Sequence, residues 1–97
     1  MRQTIKKNAQ AGMAKKHDLI VLLEPAEPES GVAIEVKSSG LAKFQIETTV
    51  RSVLTEHELK DLIVKVEDEG ALDFTVRART ETAVRRALKR GENNEFV

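Results

Sequence analysis

Residues 62–79 read LIVKVEDEGALDFTVRAR, and this stretch predicts a strand, a tight turn and the start of a further element. The first five residues are mostly apolar and β-branched, which is typical of a strand inside a sheet. The acidic residues 67–69 and then Gly70 end that strand, and we expect Gly70 to adopt a positive φ. The stretch therefore predicts a sharp change of chain direction at Gly70.

The element after the turn fits two periodicities. Phe74, Val76 and Ala78 alternate as in a strand, whereas a helix would gather its apolar residues on one face. The helical stripe consists of Leu72, Val76, Ala83, Ala87 and Leu88. We predict a helix over at least residues 80–90 and leave open a start as early as Leu72.

Two strands are predicted upstream. Residues 19–23, LIVLL, are apolar on both faces, which indicates a strand that is buried from both sides or centrally placed in a sheet. Residues 32–37 alternate apolar and polar side chains, which indicates a strand with one wet face. The intervening residues 25–31 hold both prolines and a glycine and are expected to form a loop. We predict that the two strands form an antiparallel hairpin.

A helix is predicted over residues 41–59, because their apolar side chains fall on one helical stripe and Ser38 or Ser39 can cap its start. The complete prediction is a single α+β domain over residues 1–97, with residues 1–10 loosely ordered. Its elements follow the order strand, strand, helix, strand, helix. They form a small two-layer sandwich in which both helices cover one face of a mixed sheet.

Composition limits the class of protein. The chain has sixteen cationic and sixteen anionic residues, so no net charge draws it to nucleic acid or to a membrane surface. It has no Cys, which excludes thiol chemistry and suits a reducing compartment. Residues 1–10 are polar and do not resemble a signal peptide. We expect a cytoplasmic protein with neither a nucleic-acid nor a membrane partner.

No arrangement of residues predicts a catalytic centre. His17 and His57 lack metal-ligand spacing, and His57 is expected to face solvent or to help end the first helix. A cluster of carboxylates fits a solvated turn better than a cation site, and it comprises Glu67, Asp68, Glu69 and Asp73. Asp73 is also a candidate cap for the last helix. We expect a protein that is not an enzyme.

Basic residues form two groups with a potential binding role. The first group is Lys6, Lys7, Lys15, Lys16 and His17. The second group lies on the last helix and before it, and comprises Arg77, Arg79, Arg85, Arg86, Lys89 and Arg90. Such charges are ordinarily a solvated face. If the two groups converge, they would suit a phosphorylated ligand or an acidic partner surface.

Several short segments, in their order and spacing, resemble the acyl carrier subunit (gamma chain) of citrate lyase and, more weakly, that of malonate decarboxylase. The most distinctive segment is Asp68-Glu69-Gly70-Ala71-Leu72-Asp73 followed by Arg77-Ala78-Arg79. The others are Ile5-Lys6-Lys7, Ala11-Gly12, Leu22-Leu23-Glu24-Pro25, Lys37-Ser38-Ser39 and Lys43-Phe44. The resemblance extends from about Ile5 to Leu88.

The resemblance implies a non-catalytic carrier. The family bears a derivative of dephospho-coenzyme A, joined through a phosphodiester to a Ser, and the thiol of this arm holds the acyl group as a thioester. The arm moves the acyl group between the lyase and acyltransferase subunits of the complex. By the resemblance, the attachment Ser lies a few residues after the Ala-Gly pair and shortly before an Asp.

This chain departs from the family at that position. Asp18 matches the family's Asp, but Lys16 stands where the Ser is expected, with Lys15 before it and His17 after it. An amine cannot form the same phosphodiester, which argues against covalent carriage here. The candidate cofactor-binding residues are therefore Lys15, Lys16, His17 and Asp18, with Lys16 at the attachment position.

Three explanations of Lys16 remain open at this point. The chain is a divergent homologue that has lost the arm, or a substituted form of a genuine carrier, or a protein that binds the anionic nucleotide non-covalently through its basic turn. An interaction or scaffold module without an arm is thus the alternative to a carrier. An unrelated binding domain that uses the basic helix is a third hypothesis.

Overall fold

The computed structural model of the chain describes residues 2–38 and 43–88. In chain order the elements are β1 (Ala9–Gly12), β2 (Leu19–Pro25), β3 (Val32–Ser38), α1 (Lys43–Glu56), β4 (Leu62–Asp68) and α2 (Asp73–Leu88). The predicted α+β order is confirmed, with β1 as an additional first strand. β1 reads AQAG and lacks the β-branched and aromatic residues that would have marked it as a strand.

The sheet has the order β1-β2-β4-β3 and is mixed, as predicted. β2 is antiparallel to both β1 and β4, and β3 is parallel to β4. The predicted hairpin between β2 and β3 is therefore wrong, because β4 lies between them. β2 and β4 occupy the centre and each bury alternate side chains, whereas no residue of β3 is fully buried, which suits an edge.

Both helices cover one face of this sheet. The strands contribute fully buried side chains to the core at Leu19, Val21, Leu23, Leu62, Val64 and Val66. The helices contribute Val50, Val53, Leu54, Val76 and Val84. Together these residues form one continuous hydrophobic cluster, which is the main source of stability in a domain of this size. The fold is the expected two-layer sandwich.

The two helices lie side by side and run in the same direction. The Thr49 hydroxyl in the middle of α1 donates to the Asp73 carboxylate at the start of α2, and further along both helices Arg77 forms an ion pair with Glu56. α2 begins at Asp73, at the early limit of the prediction, and residues 89–90 lie outside the described part of the chain. α1 ends at Glu56, before the predicted end, and its predicted first residues 41–42 are likewise outside.

The N-terminal stretch, expected to be loosely ordered, contacts the body of the domain. The Ile5 side chain is buried in the core. The Gln3 amide N–H donates to the Glu58 carbonyl at 2.7 Å, and the Gln3 carbonyl accepts from the Lys60 N–H at 2.9 Å. Neither α1 nor α2 is long and apolar enough to cross a membrane.

Candidate functional site

The predicted attachment position lies in the turn between β1 and β2. Gly12 ends β1 with a φ of 100°, and the Met13 N–H donates to the Leu19 carbonyl at 3.1 Å, so the two strands converge below the turn. Lys16 and its neighbour Lys15 are exposed at the tip. We call residues 13–18 the β1–β2 turn. Their side chains at the tip are accessible to a ligand or a partner.

Hydrogen bonds fix the backbone of the β1–β2 turn to the loop after β4. The His17 N–H donates to the Glu69 carbonyl at 2.7 Å, and the Glu69 N–H donates to the Asp18 carbonyl at 2.9 Å. Within the turn, the Asp18 N–H donates to the Lys15 carbonyl at 3.0 Å. His17 itself adopts a φ of 67°, which is uncommon outside glycine. Lys16 is therefore carried on a backbone that is anchored on the side of β2.

Asp18 and Arg79 form a two-point ion pair beneath this turn. Arg79 Nε donates to Oδ1 of Asp18 at 3.0 Å, and an Nη of Arg79 donates to Oδ2 at 3.1 Å. The Leu19 N–H donates to the same carboxylate at 2.7 Å. The Asp18 side chain is 5% exposed and the Arg79 side chain 40%, so the pair lies at the boundary of the core. It fastens the base of the turn to α2.

This arrangement keeps Asp18 ionised. The Arg79 hydrogen bonds lower the pKa of the Asp18 carboxyl, with smaller help from the Leu19 N–H, against the opposing effect of burial. The same contact raises the pKa of Arg79 above its ordinary value. A bidentate guanidinium–carboxylate pair is among the stronger polar contacts in proteins and also fixes orientation. Asp18 is thus a structural anion and not a free ligand at the surface.

A second buried carboxylate shapes the loop after β4. Asp68 is 4% exposed, and its Oδ1 accepts from the Ala71 N–H at 2.9 Å. Its Oδ2 accepts from the Ser38 hydroxyl at the end of β3, also at 2.9 Å. Gly70 has a φ of 92°, which confirms the positive φ expected there. These contacts hold the loop that in turn binds the β1–β2 turn.

The structure brings some of the predicted site residues together and leaves others apart. Lys15, Lys16, His17 and Asp18 share the β1–β2 turn, with the first three exposed and Asp18 buried. His57 is elsewhere, just after α1, where its Nε2 lies 2.9 Å from Oε1 of Glu81 on α2. This contact replaces the solvent-facing interpretation of His57. Among residues 2–38 and 43–88, no group of acidic or histidine side chains is arranged to hold a metal ion.

Among the described members of the second basic group, Arg79 contacts the β1–β2 turn through Asp18. Arg77 turns toward α1 and pairs with Glu56, and Arg86 donates to the Gln10 carbonyl of β1 at 2.8 Å. Asp73 is the first residue of α2, and its carboxylate accepts from the Thr49 hydroxyl. Its negative charge also suits the positive end of the helix dipole. Among the described residues, the basic side chains at the turn are therefore those of the tip and that of Arg79, which is paired with Asp18.

Arg79 and Asp68 are the structural residues that sequence reasoning missed. Both fall in the segment on which the family resemblance rests, but nothing in the local pattern shows which partner each would meet. The sequence groups Arg79 with the basic residues on and before the last helix, and Asp68 with a solvated acidic turn. For Asp68 the available signal was its position two residues before Gly70, since Asp side chains often accept hydrogen bonds from the backbone of a following turn. For Arg79 the local pattern held no such signal.

The side chains of the turn determine its possible chemistry. Residues 13–18 include no hydroxyl, and Ser38, near the loop after β4, already donates its hydroxyl to Asp68. The tip offers two lysine amines and an imidazole, which are donors suited to phosphate or carboxylate. The turn therefore fits non-covalent contact with an anion, and does not fit an ester link to phosphate.

Comparison with known proteins gives consistent relatives. The family described as "Malonate decarboxylase delta subunit (MdcD)" matches residues 6–87. The citrate lyase acyl carrier protein of Treponema denticola is 44% identical over 85 residues, covering 86% of this chain and 94% of the relative. The corresponding protein of Halothermothrix orenii is 32% identical over 93 residues, covering 94% of this chain and 97% of the relative.

A solved structure has the same fold. A chain in the crystal structure of a Pseudomonas malonate decarboxylase hetero-tetramer in complex with malonate aligns with a TM-score of 0.76 and 25% sequence identity. The alignment covers 89% of each chain. The relatives are named as carriers and not as catalytic subunits. With the matched family, the identities and the shared fold, the chain belongs to the acyl carrier subunit family of citrate lyase and malonate decarboxylase.

Proposed function

We propose that the chain is the non-catalytic, carrier-type subunit of a citrate-lyase-like complex, in which it contacts lyase and acyltransferase subunits. The support is the identity to citrate lyase carriers over nearly the whole chain, and a structural neighbour that is part of a hetero-tetramer. Met13 of the β1–β2 turn (58% exposed) and Leu72 after β4 (62% exposed) present apolar side chains to solvent. Such side chains are common where one protein docks on another.

The observation that carries this proposal is the geometry of the β1–β2 turn. Its tip is exposed while its base is held by Glu69 and by the Asp18–Arg79 pair. A carrier needs a fixed anchor, because the effective concentration of a tethered group at a partner's site depends on where the tether starts. In this chain Lys16 occupies the tip of that anchor. We therefore infer that the turn is the surface offered to the partner's active site.

The family's prosthetic group, derived from dephospho-coenzyme A, does not fit this turn as a covalent group. Its phosphodiester link needs a hydroxyl, and residues 13–18 supply none. When bound, the group supplies the thiol that holds an acyl thioester. We assign no step of acyl transfer to this chain through such a group. What the chain itself provides is a docking fold and a basic tip.

A second candidate function follows from that basic tip. Lys15, Lys16 and His17 are exposed together, and the two ammonium groups favour a phosphorylated ligand at neutral pH. The chain would then be a carrier-fold module without an arm, serving as a scaffold or binding an anionic nucleotide non-covalently. This candidate keeps the partners of the complex and removes covalent carriage.

The two candidates are separated by expressing the chain with the family's prosthetic-group transferase and measuring its intact mass. Unmodified protein that still copurifies with a lyase subunit supports the module without an arm. A mass increase that maps to residue 16 supports carriage. An unmodified protein that binds neither lyase nor acyltransferase subunits contradicts the proposed function in both forms. Arg77→Ala, a change away from the turn, is the control for binding, and it should copurify with the same subunits as the parent chain.

A further inference from the structure

The two edges of the sheet are protected differently. β1 is four residues long, and the Gln10 carbonyl on it accepts from Arg86 of α2. β3 is seven residues long and is the other edge. Among the described residues, no strand pairs with its outer side. An edge of this length offers a row of backbone donors and acceptors to another strand, and proteins usually block such edges.

The helix-facing side chains of β3 are only partly covered. Val32, Ile34 and Val36 contact the hydrophobic cluster but keep intermediate exposure, whereas Val64 and Val66 on β4 are buried. Covering this exposed apolar area with another strand would lower the free energy, because apolar surface would be removed from water. β3 is therefore incomplete on its outer side in both its backbone and its side chains.

Charges on the opposite face of the sheet alternate across β4 and β3. Glu35 is the cross-strand neighbour of Lys65, and Lys37 is the neighbour of Glu67. Each row of the sheet thus places a cation beside an anion. The outermost members of the two rows, Glu35 and Lys37, are exposed and of opposite sign. The outer edge of β3 therefore presents one negative and one positive side chain, two residues apart.

We propose that β3 pairs with β3 of a second copy of this chain, antiparallel and centred on Val36, over residues 34–38. A two-fold axis through Val36 places Glu35 opposite Lys37 of the second copy, and Lys37 opposite its Glu35. Across the junction, the neighbouring side chains are then Lys65 and Glu35 of one copy, followed by Lys37 and Glu67 of the second copy. Their charges alternate in sign along this line. Opposite charges at directly facing positions stabilise a sheet.

Charge distinguishes this register from its neighbours. A junction centred on Glu35 would place that carboxylate opposite its own copy, and one centred on Lys37 would do the same for two ammonium groups; like charges in facing positions are destabilising. A slip of one residue would place side chains from opposite faces against each other, and the helices of the two copies would no longer share one face. The centre at Val36 avoids both conflicts.

Sedimentation velocity of the purified chain, from low micromolar to near millimolar concentration, tests the proposal. We expect a reversible dimer. Glu35→Lys and Lys37→Glu each create two like-charge pairs and should raise the dissociation constant about tenfold or more. An equimolar mixture of the two variants faces only opposite charges across the junction and should dimerise again. Recovery in the mixture cannot arise from a folding defect of either variant.

Glu27→Lys and Lys6→Glu are the matched controls, since they make the same charge changes at exposed positions outside residues 34–38. Their dissociation constants should equal that of the parent chain. Hydrogen–deuterium exchange should also slow with rising protein concentration at residues 34–38. A chain that stays monomeric at every concentration overturns the proposal. A dimer that is unaffected by either reversal, or that is not restored in the mixture, overturns it as well.

Discussion

Asp18 of the β1–β2 turn and Arg79 of α2 are 61 residues apart in sequence and meet in a two-point ion pair. Glu69, in the loop just before α2, holds the same turn through its backbone. The exposed tip is thus fastened to the domain by two contacts that belong to different elements. This relationship connects the segment of the family resemblance with the position of Lys16.

Removing Arg79 should destabilise the domain and loosen the turn. Arg79→Ala leaves a nearly buried carboxylate without its cation, so we expect a loss of about 2 kcal/mol in the free energy of unfolding. Arg77→Ala is the control on the same helix, because its pair with Glu56 is exposed on both sides and should contribute less than about 1 kcal/mol. Urea denaturation at neutral pH measures both. Equal losses in the two variants would contradict the structural role of the Asp18 pair.

Stability should also fall in acid in a way that depends on Asp18. Its pKa is lowered in the folded state, first by the Arg79 hydrogen bonds, so the unfolded chain takes up the proton at higher pH than the folded chain. The stabilisation from this pair is complete above the pKa of Asp in the unfolded chain, which is about 4. It is lost as the pH falls through the lower pKa that Asp18 has in the folded chain. Asp18→Asn should be less stable than the parent at pH 7 and should approach it at low pH. A constant difference between the two proteins at all pH values would be incompatible with this account.

Gly12 should tolerate no side chain. Its φ is 100°, and a Cβ there would lie 1.8 Å from the Leu19 carbonyl oxygen, which is fixed backbone of β2. We expect Gly12→Ala to cost roughly 3 kcal/mol or more. Gly31→Ala is the matched control, because Gly31 has a φ of 81° but no atom within 4 Å of the added Cβ. It should cost only about 1 kcal/mol for the backbone conformation. Thermal unfolding followed by circular dichroism compares the two.

Most of the fold could be predicted from local patterns. Local patterns identified three strands, at residues 19–23, at residues 32–37 and in the stretch after Leu62. The two-layer arrangement followed because both helices had to cover one face of the sheet that these strands form. The pairing of β2 with β4 could not be predicted, because a short loop with prolines and a glycine looks the same whether or not the flanking strands are neighbours. Pairing depends on the competition between strands for the centre of the sheet, which is non-local.

The site was predicted less completely. The sequence and the family resemblance placed Lys15, Lys16, His17 and Asp18 just ahead of the strand at residues 19–23, and their role at an attachment site stays a prediction. That they lie in a turn between two strands was not foreseen, because β1 was not predicted. The anchoring of Asp18 by Arg79 was not foreseen, because an Arg on a basic helix face has many possible partners and the sequence does not fix its orientation. The burial of Asp68 was missed for the same reason. Both carboxylates look like solvated acids until the loop after β4 is placed beside the turn.

Lys16→Ser tests whether residue 16 is the attachment position of the carrier fold. The variant is incubated with the family's transferase and its prosthetic-group precursor, beside Lys15→Ser and an authentic citrate lyase carrier, and intact mass and peptide mapping are measured. We expect a mass increase at residue 16 in Lys16→Ser and none in Lys15→Ser. A transferase that modifies the authentic carrier but ignores Lys16→Ser, or that modifies Lys15→Ser instead, would contradict it.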